Sequence, residues 1–421
     1  MKAAVAIFAV SVLAVPPAFA QSPEAVAEAA LDAAPVWDGH NDVPWQLRGR
    51  FDNRIGDFDF RDTRNTADGD RAAMHTDLAR LRQGKVGAQF WSVYVSAGLP
   101  EPQAVQATLE QIDVTKRLIA RYPDALQLAL TTEDVEQAVA AGRIASLMGM
   151  EGGHSIGSSL AVLRQMYDLG ARYMTLTHGT TLSWADSATD APKHDGLNAF
   201  GMDVVREMNR IGMLVDLSHV SEAAMHDALD AARAPVIFSH SGARAINGHP
   251  RNVPDSVLER LPENGGLVMV VAYTAFVTEA LRDHAALRAA EAARLGSLFP
   301  GSPDEVTAGL DAWDANNPAP PSTIGDMADH IDHIRKVAGI DHIGIGGDYD
   351  GMPSGPVGME DTSGYPALFA ELARRGYSQA DLEKISYRNM LRAMKQAEAF
   401  AGSQKGMAPI EYPVGAPRDG E

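Results

Sequence analysis

Short apolar runs recur along this chain, and nearly every one ends in a histidine, an aspartate or a glutamate. Runs of this length, separated by helix-like stretches, are typical of buried parallel strands. Eight segments qualify as strands, and helical material follows each of them: 35–37, 86–95, 144–150, 173–177, 213–217, 236–239, 267–272 and 343–346. Eight β/α units in a row predict an α/β protein with a closed (β/α)8 TIM-type barrel. An open doubly wound sheet is disfavoured, because no Gly-rich phosphate loop follows the first strand.

Two stretches interrupt this repeat. Residues 51–73 are polar and rich in Asp and Arg, which predicts a long loop after the first strand. Residues 274–321 join an Ala-rich helical pattern (280–298) to a segment rich in Pro, Gly and Asn, which predicts an inserted helical segment between strands seven and eight. This insertion is either a lid over the catalytic face or a peripheral packing helix. We expect one barrel domain over residues 21–401 and a loosely ordered tail over residues 402–421.

The first twenty residues have the pattern of a secretory signal. Lys2 supplies a positive charge, residues 3–15 are apolar, and residues 18–20 (Ala-Phe-Ala) form a small-x-small cleavage motif. A membrane anchor is the alternative, but the apolar stretch is shorter than the roughly 20 residues that a bilayer requires. We therefore expect cleavage near Ala20, secretion to the periplasm and no stable membrane anchor.

Composition limits the function further. The chain is acidic, with a formal net charge of −19, so it is a poor partner for nucleic acid or anionic lipid. Solubility is a sufficient explanation of this charge. The chain contains no cysteine, which excludes disulfides and lipid attachment through an N-terminal cysteine. In an oxidising compartment the fold must therefore be held by its core, with or without the help of bound metal.

Five side chains at predicted strand ends form a candidate metal site. His40 and Asp42 lie at i and i+2 after the first strand, so both can face one side of the pleat. Glu151 ends an otherwise uncharged run, where an ionised carboxylate is costly unless it is paired or ligating. His219 and His240 end two successive strands and are expected to lie close together. Three histidines and two carboxylates suit a pair of divalent ions, with zinc as the leading candidate.

The placement of these five residues matters more than their identity. Each of them alone would be interpreted as a hydrogen-bonded structural residue. Their common position at the C-terminal face of one barrel, where such barrels carry catalytic groups, favours joint metal binding. Other histidines of the chain lack such a placement and are expected to be surface or packing residues: 194, 249, 330, 333 and 342.

Together these residues and their neighbours resemble the renal (membrane) dipeptidase family, a branch of the metal-dependent amidohydrolase-like hydrolases. The resemblance extends from about residue 36 to residue 394. It rests on eight blocks: Asp38-Gly39-His40-Asn41-Asp42, Gly87-Ala88-Gln89-Phe90-Trp91-Ser92, Glu151-Gly152-Gly153-His154, Leu176-Thr177-His178, Asp216-Leu217-Ser218-His219, Phe238-Ser239-His240-Ser241, Arg251-Asn252-Val253-Pro254-Asp255 and Gly346-Gly347-Asp348-Tyr349-Asp350-Gly351. Many barrel hydrolases instead open with His-x-His and bridge their metals with a modified lysine. Asp42 and Glu151 match the dipeptidase branch at both places.

The resemblance implies an active site with two Zn²⁺ ions per chain. By this resemblance His40 and Asp42 bind one zinc, and His219 and His240 bind the other. Glu151 bridges the two ions, which hold between them the water that attacks the peptide carbonyl.

The resemblance also implies roles for three residues that contact the substrate. Asp348 matches the acidic proton shuttle, with a structural aspartate as the alternative. His178 matches the group that stabilises the developing oxyanion. Arg251 matches the group that binds the C-terminal carboxylate, for which a bidentate guanidinium is well suited. A family tyrosine that helps to hold this carboxylate falls at Phe276, so one hydroxyl is missing here.

The sequence therefore supports a hypothesis of function with two alternatives. The hypothesis is a secreted, homodimeric di-zinc dipeptidase that cleaves free dipeptides and tolerates a D- or dehydro-residue at the C-terminal position. One alternative keeps the barrel and metals but changes the substrate to another small amide, an N-acyl amino acid or a lactone, because function depends on the pocket. The other is a non-catalytic metal- or peptide-binding protein, which predicts the loss of a ligand or of the proton shuttle. All six of those residues are present.

Overall fold

A closed barrel of parallel strands organises the chain. The computed structural model describes residues 21–69 and 71–413. Within these ranges nine strands form one sheet: β1 (Val36–Asn41), β2 (Val86–Ser92), β3 (Leu126–Leu128), β4 (Ile144–Glu151), β5 (Ala171–Thr175), β6 (Leu214–Asp216), β7 (Val236–Ser241), β8 (Leu267–Val271) and β9 (Ile343–Gly346). Strand β2 pairs with both β1 and β4, and β9 pairs with both β8 and β1, so every strand except β3 belongs to the closed circle. The predicted barrel is confirmed.

Strand β3 is the one element of the sheet that the sequence pattern does not predict. It pairs with the first part of β4, at Ile144–Ser146, while β5 pairs with the second part, from Met148 to Glu151. Only the first of its three residues is buried. A strand that is so short and half exposed has no apolar run, which is why the pattern of the sequence does not reveal it.

Helices surround the barrel. In the described part of the chain they are α1 (Pro23–Ala33), α2 (Val43–Phe51), α3 (Leu78–Gln83), α4 (Glu101–Arg121), α5 (Thr132–Ala140), α6 (Leu160–Asp168), α7 (Ala199–Ile211), α8 (Glu222–Ala231), α9 (Asp255–Leu258), α10 (Leu261–Asn264), α11 (Thr274–Val277), α12 (Glu279–Leu298), α13 (Pro303–Asn316), α14 (Ile324–Val337), α15 (Tyr365–Arg374), α16 (Gln379–Glu383) and α17 (Asn389–Ser403). Thr131 and Thr323 begin α5 and α14 with reciprocal capping boxes. None of these helices combines the length and the apolar composition needed to cross a membrane.

A layer of large side chains packs between the barrel strands. Trp37, Phe90, Leu147, Tyr173 and Met269 come from five different strands and are fully buried in one cluster. The ring centroids of Trp37 and Phe90 lie 5.9 Å apart, and those of Phe90 and Tyr173 lie 4.9 Å apart. This packing holds the strand ends at fixed positions, and the hydroxyl of Tyr173 reaches the candidate site described below.

Strand β9 approaches β7 so closely that residue 346 must be glycine. A Cβ atom at Gly346 would lie 1.8 Å from the carbonyl oxygen of Ser239. We expect Gly346→Ala to lower the free energy of unfolding by about 1–3 kcal/mol, because backbone cannot move aside as a flexible side chain can. Chemical denaturation measures this change.

The matched control is Gly296→Ala in α12, where a Cβ would meet no atom within 4 Å. There alanine should raise stability by up to about 1 kcal/mol, because it favours the helix over the unfolded chain. Equal effects of the two substitutions would contradict the packing argument.

The predicted insertion lies between the seventh and eighth strands of the barrel, β8 and β9. Helices α12 and α13 pair with each other through Arg288 and Asp314, whose side chains are 2.8 Å apart. Leu295 is the one buried side chain of these two helices. Only the preceding short helix, α11, reaches the cavity described below, through Ala275 and Phe276. The α12–α13 pair is therefore an exposed hairpin that does not line the cavity.

Residues 402–413 of the predicted C-terminal tail belong to the described part of the chain. Helix α17 continues to Ser403, beyond the predicted boundary of the barrel domain. The Ile410 amide donates to Glu207 at 3.2 Å, and the Tyr412 hydroxyl donates to Asp203 at 2.7 Å. These contacts connect residues 410 and 412 to α7. The last eight residues lie outside the described ranges.

Candidate metal centre and active site

A cavity of about 530 Å³ opens at the C-terminal ends of the barrel strands. Seven of the eight predicted site residues line it: Asp42, Glu151, His178, His219, His240, Arg251 and Asp348. The eighth, His40, is fully buried and contacts two of the lining carboxylates. The structure therefore brings all eight residues together, as expected for groups that follow parallel strands of one barrel.

Glu151, the last residue of β4, lies at the centre of this cluster. Its Oε2 atom is 3.4 Å from Nε2 of His40. Its Oε1 atom is 3.0 Å from Nε2 of His219 and 3.5 Å from Nε2 of His240. The two oxygens of a single carboxylate thus face two different sets of donor atoms.

The first set consists of His40, Asp42 and Asp348, whose ligand atoms all lie within 4.8 Å of one another. Nε2 of His40 is 3.3 Å from Oδ2 of Asp42. Neither His40 Nε2 nor the other carboxylate oxygen of Asp42 has a hydrogen-bond partner, although both atoms are buried. Buried polar atoms without partners are costly, and a bound cation would satisfy both of them.

The second set consists of His219 and His240, whose Nε2 atoms are 3.0 Å apart. Two ligands of one tetrahedral zinc ion, each about 2.0–2.1 Å from the metal, have a similar separation. Burial and the charge of Arg251 hold the pKa of His219 well below its usual range, and burial and the charge of His40 do the same for His240. Both imidazoles are therefore neutral, which is the state that binds metal.

Hydrogen bonds behind two of the histidines fix which ring nitrogen faces the cluster. Nδ1 of His40 is 2.8 Å from the Tyr173 hydroxyl, which itself donates to a backbone carbonyl. Nδ1 of His240 is 2.9 Å from the hydroxyl of Ser239, which donates to Asp216 at 2.6 Å. In both cases Nδ1 is the nitrogen bonded behind the ring, and Nε2 is the nitrogen that faces the cluster. Such outer partners orient metal ligands and raise their basicity.

Neighbouring charges determine which carboxyl groups ionise in this buried cluster. Burial opposes ionisation of Glu151, but His40 and His219 outweigh it and hold its pKa well below the usual range. Burial raises the pKa of Asp348 well above its usual range, and the charges of Asp42 and Glu151 raise it further. Crowded carboxylates of this kind are a frequent mark of catalytic and metal-binding sites.

Backbone conformation also distinguishes the strand ends. His219 and Asp348 have positive φ angles of 70° and 60°, as does Asp350 at 67°. Residues other than glycine adopt this region at a cost, and such residues cluster at functional sites. The two predicted site residues among them lie at the sharp turns that follow β6 and β9.

Arg251 lines the same cavity as the carboxylates. It is 2% exposed, and its Nε and Nη1 atoms have no hydrogen-bond partner. Its guanidinium carbon lies 5.2 Å from the centre of the Phe276 ring. Burial lowers the pKa of Arg251 to about 10, so the group stays charged at neutral pH. A buried cation with free donors suits an anionic group of a ligand.

His178 is less constrained than the other histidines of the site. Its side chain is 28% exposed, and its Nε2 atom is 3.8 Å from Oε1 of Glu151. The ring lies between those of Tyr94 and His219, at centroid distances of 4.7 and 4.3 Å. Its position allows either contact with a substrate or metal binding, because a ring nitrogen of His178 lies within 4.8 Å of ligand atoms of Glu151 and His219.

Several residues of the site escape the sequence pattern. His249, expected to be a surface or packing residue, packs on Phe276 and also lines the cavity. Tyr173, Ser239 and Asp216 hold ligand rings but lie inside strands, where sequence shows only buried positions. Proximity to Arg251 in the chain is the one signal that could have identified His249.

Comparison with known proteins identifies the family. The sequence model of the membrane dipeptidase family, peptidase family M19, matches residues 24–407. This chain belongs to that family. Dipeptidase tcpJ of Claviceps purpurea (strain 20.1) is 41% identical over 382 residues, which cover 89% of this chain and 79% of the relative. As an M19 member the protein is a metallopeptidase, and the resemblance seen in its sequence is confirmed.

Solved structures share the fold of this M19 protein. The probable dipeptidase PvdM from Pseudomonas aeruginosa superposes with a TM-score of 0.75 at 24% identity and covers 90% of this chain and 99% of its own. A metallopeptidase from Rhodobacter sphaeroides, solved with a phosphinate mimic of the dipeptide L-Ala-D-Ala, has a TM-score of 0.69 at 23% identity and covers 86% and 99%. At these sequence identities, the similarity to the solved structures concerns the barrel fold alone.

Proposed function

We propose that this protein is a di-zinc dipeptidase that hydrolyses the peptide bond of free dipeptides. The observation that carries the proposal is the position of Glu151. Its two oxygens face separate sets of nitrogen and oxygen donors, 3.4 Å from His40 on one side and 3.0 Å from His219 on the other. A carboxylate in this position can bridge two metal ions.

The donor atoms fit zinc at both positions. His40 and Asp42 would hold one ion with Oε2 of Glu151, and His219 and His240 would hold the other with Oε1. Imidazole nitrogen and carboxylate oxygen are ligands that zinc accepts at catalytic sites. When bound, the zinc ions would polarise the peptide carbonyl and make a water molecule nucleophilic at neutral pH.

The chain's own residues supply binding and proton transfer. Arg251 would bind the substrate's C-terminal carboxylate through its free Nε and Nη1 donors. His178 would donate from Nε2 to the carbonyl oxygen as negative charge develops there. Asp348 would accept the proton of the attacking water and deliver it to the amine of the leaving group. All three side chains line one cavity.

The position of Arg251 sets the proposed substrate length. A fixed cation in the same cavity as the carboxylate cluster would hold the substrate's C-terminal carboxylate one residue beyond the scissile bond, which would favour dipeptides over longer peptides. We extend the proposal to substrates with a D-residue at the C-terminal position. The R. sphaeroides metallopeptidase that binds an L-Ala-D-Ala mimic shares the fold, which supports this extension.

The proposal also covers export and assembly. Residues 1–20 have the signal pattern described above but lie outside the described residues. We infer that this segment directs secretion to the periplasm and is removed, and that the mature protein is a homodimer, as the family resemblance implies.

A panel of substrates tests the proposed function. The zinc-loaded protein should cleave an L,L-dipeptide and an L,D-dipeptide, and leave a tripeptide, an N-acetylated dipeptide and a simple lactone largely intact. A chelator should abolish the activity and added zinc should restore it, because the proposed reaction requires a zinc ion in each donor set. Amine release measured by chromatography reports the result.

Arg251→Ala is the matched variant for this panel. Loss of a buried charge-assisted contact should raise KM for dipeptides about 100-fold, which corresponds to about 2.7 kcal/mol. A lactone has no carboxylate, so any residual turnover of the lactone should be the same in the variant and in the wild type. Activity on the lactone or the blocked dipeptide alone would refute the dipeptidase proposal while keeping the metal site.

A further inference from the structure

The cavity wall beside Arg251 contains a histidine that the proposed catalytic scheme does not use. His249 lines the same cavity and precedes Arg251 by two residues. Its Nδ1 accepts a hydrogen bond of 3.1 Å from the backbone N–H of Arg251. A neutral imidazole that accepts at Nδ1 carries its proton on Nε2. No described residue accepts a hydrogen bond from this Nε2–H, so the ring presents a free donor at its far end.

The imidazole is uncharged under working conditions. Burial lowers the pKa of His249 to about 4, and the positive charges of Arg251, Arg282 and Arg244 contribute to the same shift. The ring therefore keeps a single proton near neutral pH. The backbone of Arg251 decides that this proton lies on Nε2.

The imidazole of His249 and the guanidinium of Arg251 both lie near one phenylalanine ring. The centroid of Phe276 lies 4.5 Å from that of His249. The guanidinium carbon of Arg251 lies 5.2 Å from the same centroid. The imidazole and the guanidinium therefore pack on one ring. Both residues line the same cavity, and the Nε and Nη1 of Arg251 have no hydrogen-bond partner among the described residues.

The surrounding hydrogen bonds hold this wall in place. Asn247 accepts from the backbone N–H of His249 at 2.9 Å and donates to the Ala275 carbonyl at 3.1 Å. Asn252 donates to the Phe276 carbonyl at 2.8 Å. The loop that carries His249 is thus joined to α11, which carries Phe276. Groups held in this way bind a ligand with little loss of conformational entropy.

We propose that His249 is a substrate-binding residue whose Nε2–H donates to the C-terminal carboxylate held by Arg251. This inference rests on the proposed function, because it requires a substrate with a carboxylate at that end. Phe276 has no hydroxyl to offer, and the neutral imidazole supplies the additional donor. A carboxylate has lone pairs that accept from both Arg251 and His249. In a carboxamide, by contrast, the NH₂ group is itself a donor and would face the N–H of one of these residues. His249 therefore adds selectivity for a free chain end.

Two isosteric variants separate the donor from the packing of the ring. In His249→Asn the amide oxygen takes the place of Nδ1, which keeps the acceptor for Arg251 and removes the distal donor. In His249→Gln the amide nitrogen takes the place of Nε2 and keeps that donor. We expect the Asn variant to raise KM for a dipeptide about 10-fold with kcat within about twofold, because a hydrogen bond to a charged group is lost. The Gln variant should stay within about threefold of the wild type in KM.

Calorimetry provides a second readout that does not depend on turnover. A dipeptide titrated into zinc-loaded Asp348→Asn protein should bind about 10-fold more weakly when His249→Asn is added. An unchanged Kd and KM in the Asn variant would overturn the proposal. Equal rises in the Asn and Gln variants would also overturn it, since they would indicate a packing role. A fall in kcat at constant KM in the Asn variant would overturn the proposal as well.

Two further results distinguish the rival explanations. Tyr273 also lines the cavity and carries a hydroxyl that could donate to the same carboxylate. A rise in KM in Tyr273→Phe, with none in His249→Asn, would assign the role to Tyr273 and overturn the proposal. A wild-type protein that binds dipeptides without cleaving them would refute the proposed function, while the Kd comparison would still test His249. Absence of any dipeptide binding would refute both.

Discussion

Replacing Glu151 by glutamine is expected to abolish zinc binding and activity together. The substitution keeps the size of the side chain but removes the one negative charge that faces both donor sets, 3.4 Å from His40 and 3.0 Å from His219. Breaking a buried ionic contact costs about 3–5 kcal/mol, which corresponds to a loss of about 1,000-fold in zinc affinity. Zinc content after dialysis, measured by mass spectrometry, and kcat/KM for a dipeptide report the two effects.

Glu207→Gln is the matched control for this experiment. Glu207 is a fully buried glutamate of α7 whose carboxylate is held by Arg164 and Arg210, away from the cavity. Its replacement should lower stability but leave the zinc content unchanged. Retention of both zinc ions by Glu151→Gln would show that the two histidine sets bind metal without a bridge, which would contradict the proposed centre.

Asp348→Asn is expected to lower kcat by about 1,000-fold while the zinc content stays constant. General acid–base groups contribute about 10²–10⁴-fold to rate, and asparagine cannot take up or release the proton. The backbone should tolerate the change, because Asp348 has a φ of 60° and asparagine adopts that region readily. Steady-state kinetics together with zinc analysis test the prediction, and KM should change by only a few fold.

Asp350→Asn provides the comparison in the same turn. Asp350 is also buried and has a φ of 67°, but one of its carboxylate oxygens accepts from the His75 amide at 2.8 Å and it does not line the catalytic cavity. The kcat of the Asp350→Asn variant should remain within a few fold of the wild-type value. Loss of zinc in Asp348→Asn would contradict the proton-transfer role, since the carboxylate lies close enough to His40 and Asp42 to be a ligand.

The sequence predicted the location of the cluster because parallel strands align their carboxyl ends. His219 follows β6 and His240 lies near the end of β7, and the structure places these two strands side by side in the barrel, as the order of apolar runs indicates. Asp42 and Glu151 could be assigned to the same face by the same rule. The boundaries were less accurate: β1 runs through His40 to Asn41, since its last residues pair with β2 instead of leaving the sheet.

Residues outside the strand register could not be predicted in this way. His249 lies in the loop after β7, where no periodic pattern relates sequence position to direction, and only its packing on Phe276 and its contact with Arg251 place it in the cavity. Ser239 and Asp216 could be predicted as buried. Their support of His240 depends on side-chain contacts between strands, which a pattern of apolar residues does not contain.

The sequence by itself determined the barrel, the family and the face on which the site lies. Hydrophobic periodicity and strand order are visible along the chain, and once the barrel closes they determine where the end of each strand lies. Only the tertiary structure decided how the two oxygens of Glu151 divide between the donor sets, which nitrogen of each histidine faces the cluster, and that His249 belongs to the wall. These features depend on distances of about 3 Å between atoms far apart in the chain, and such distances follow from packing alone.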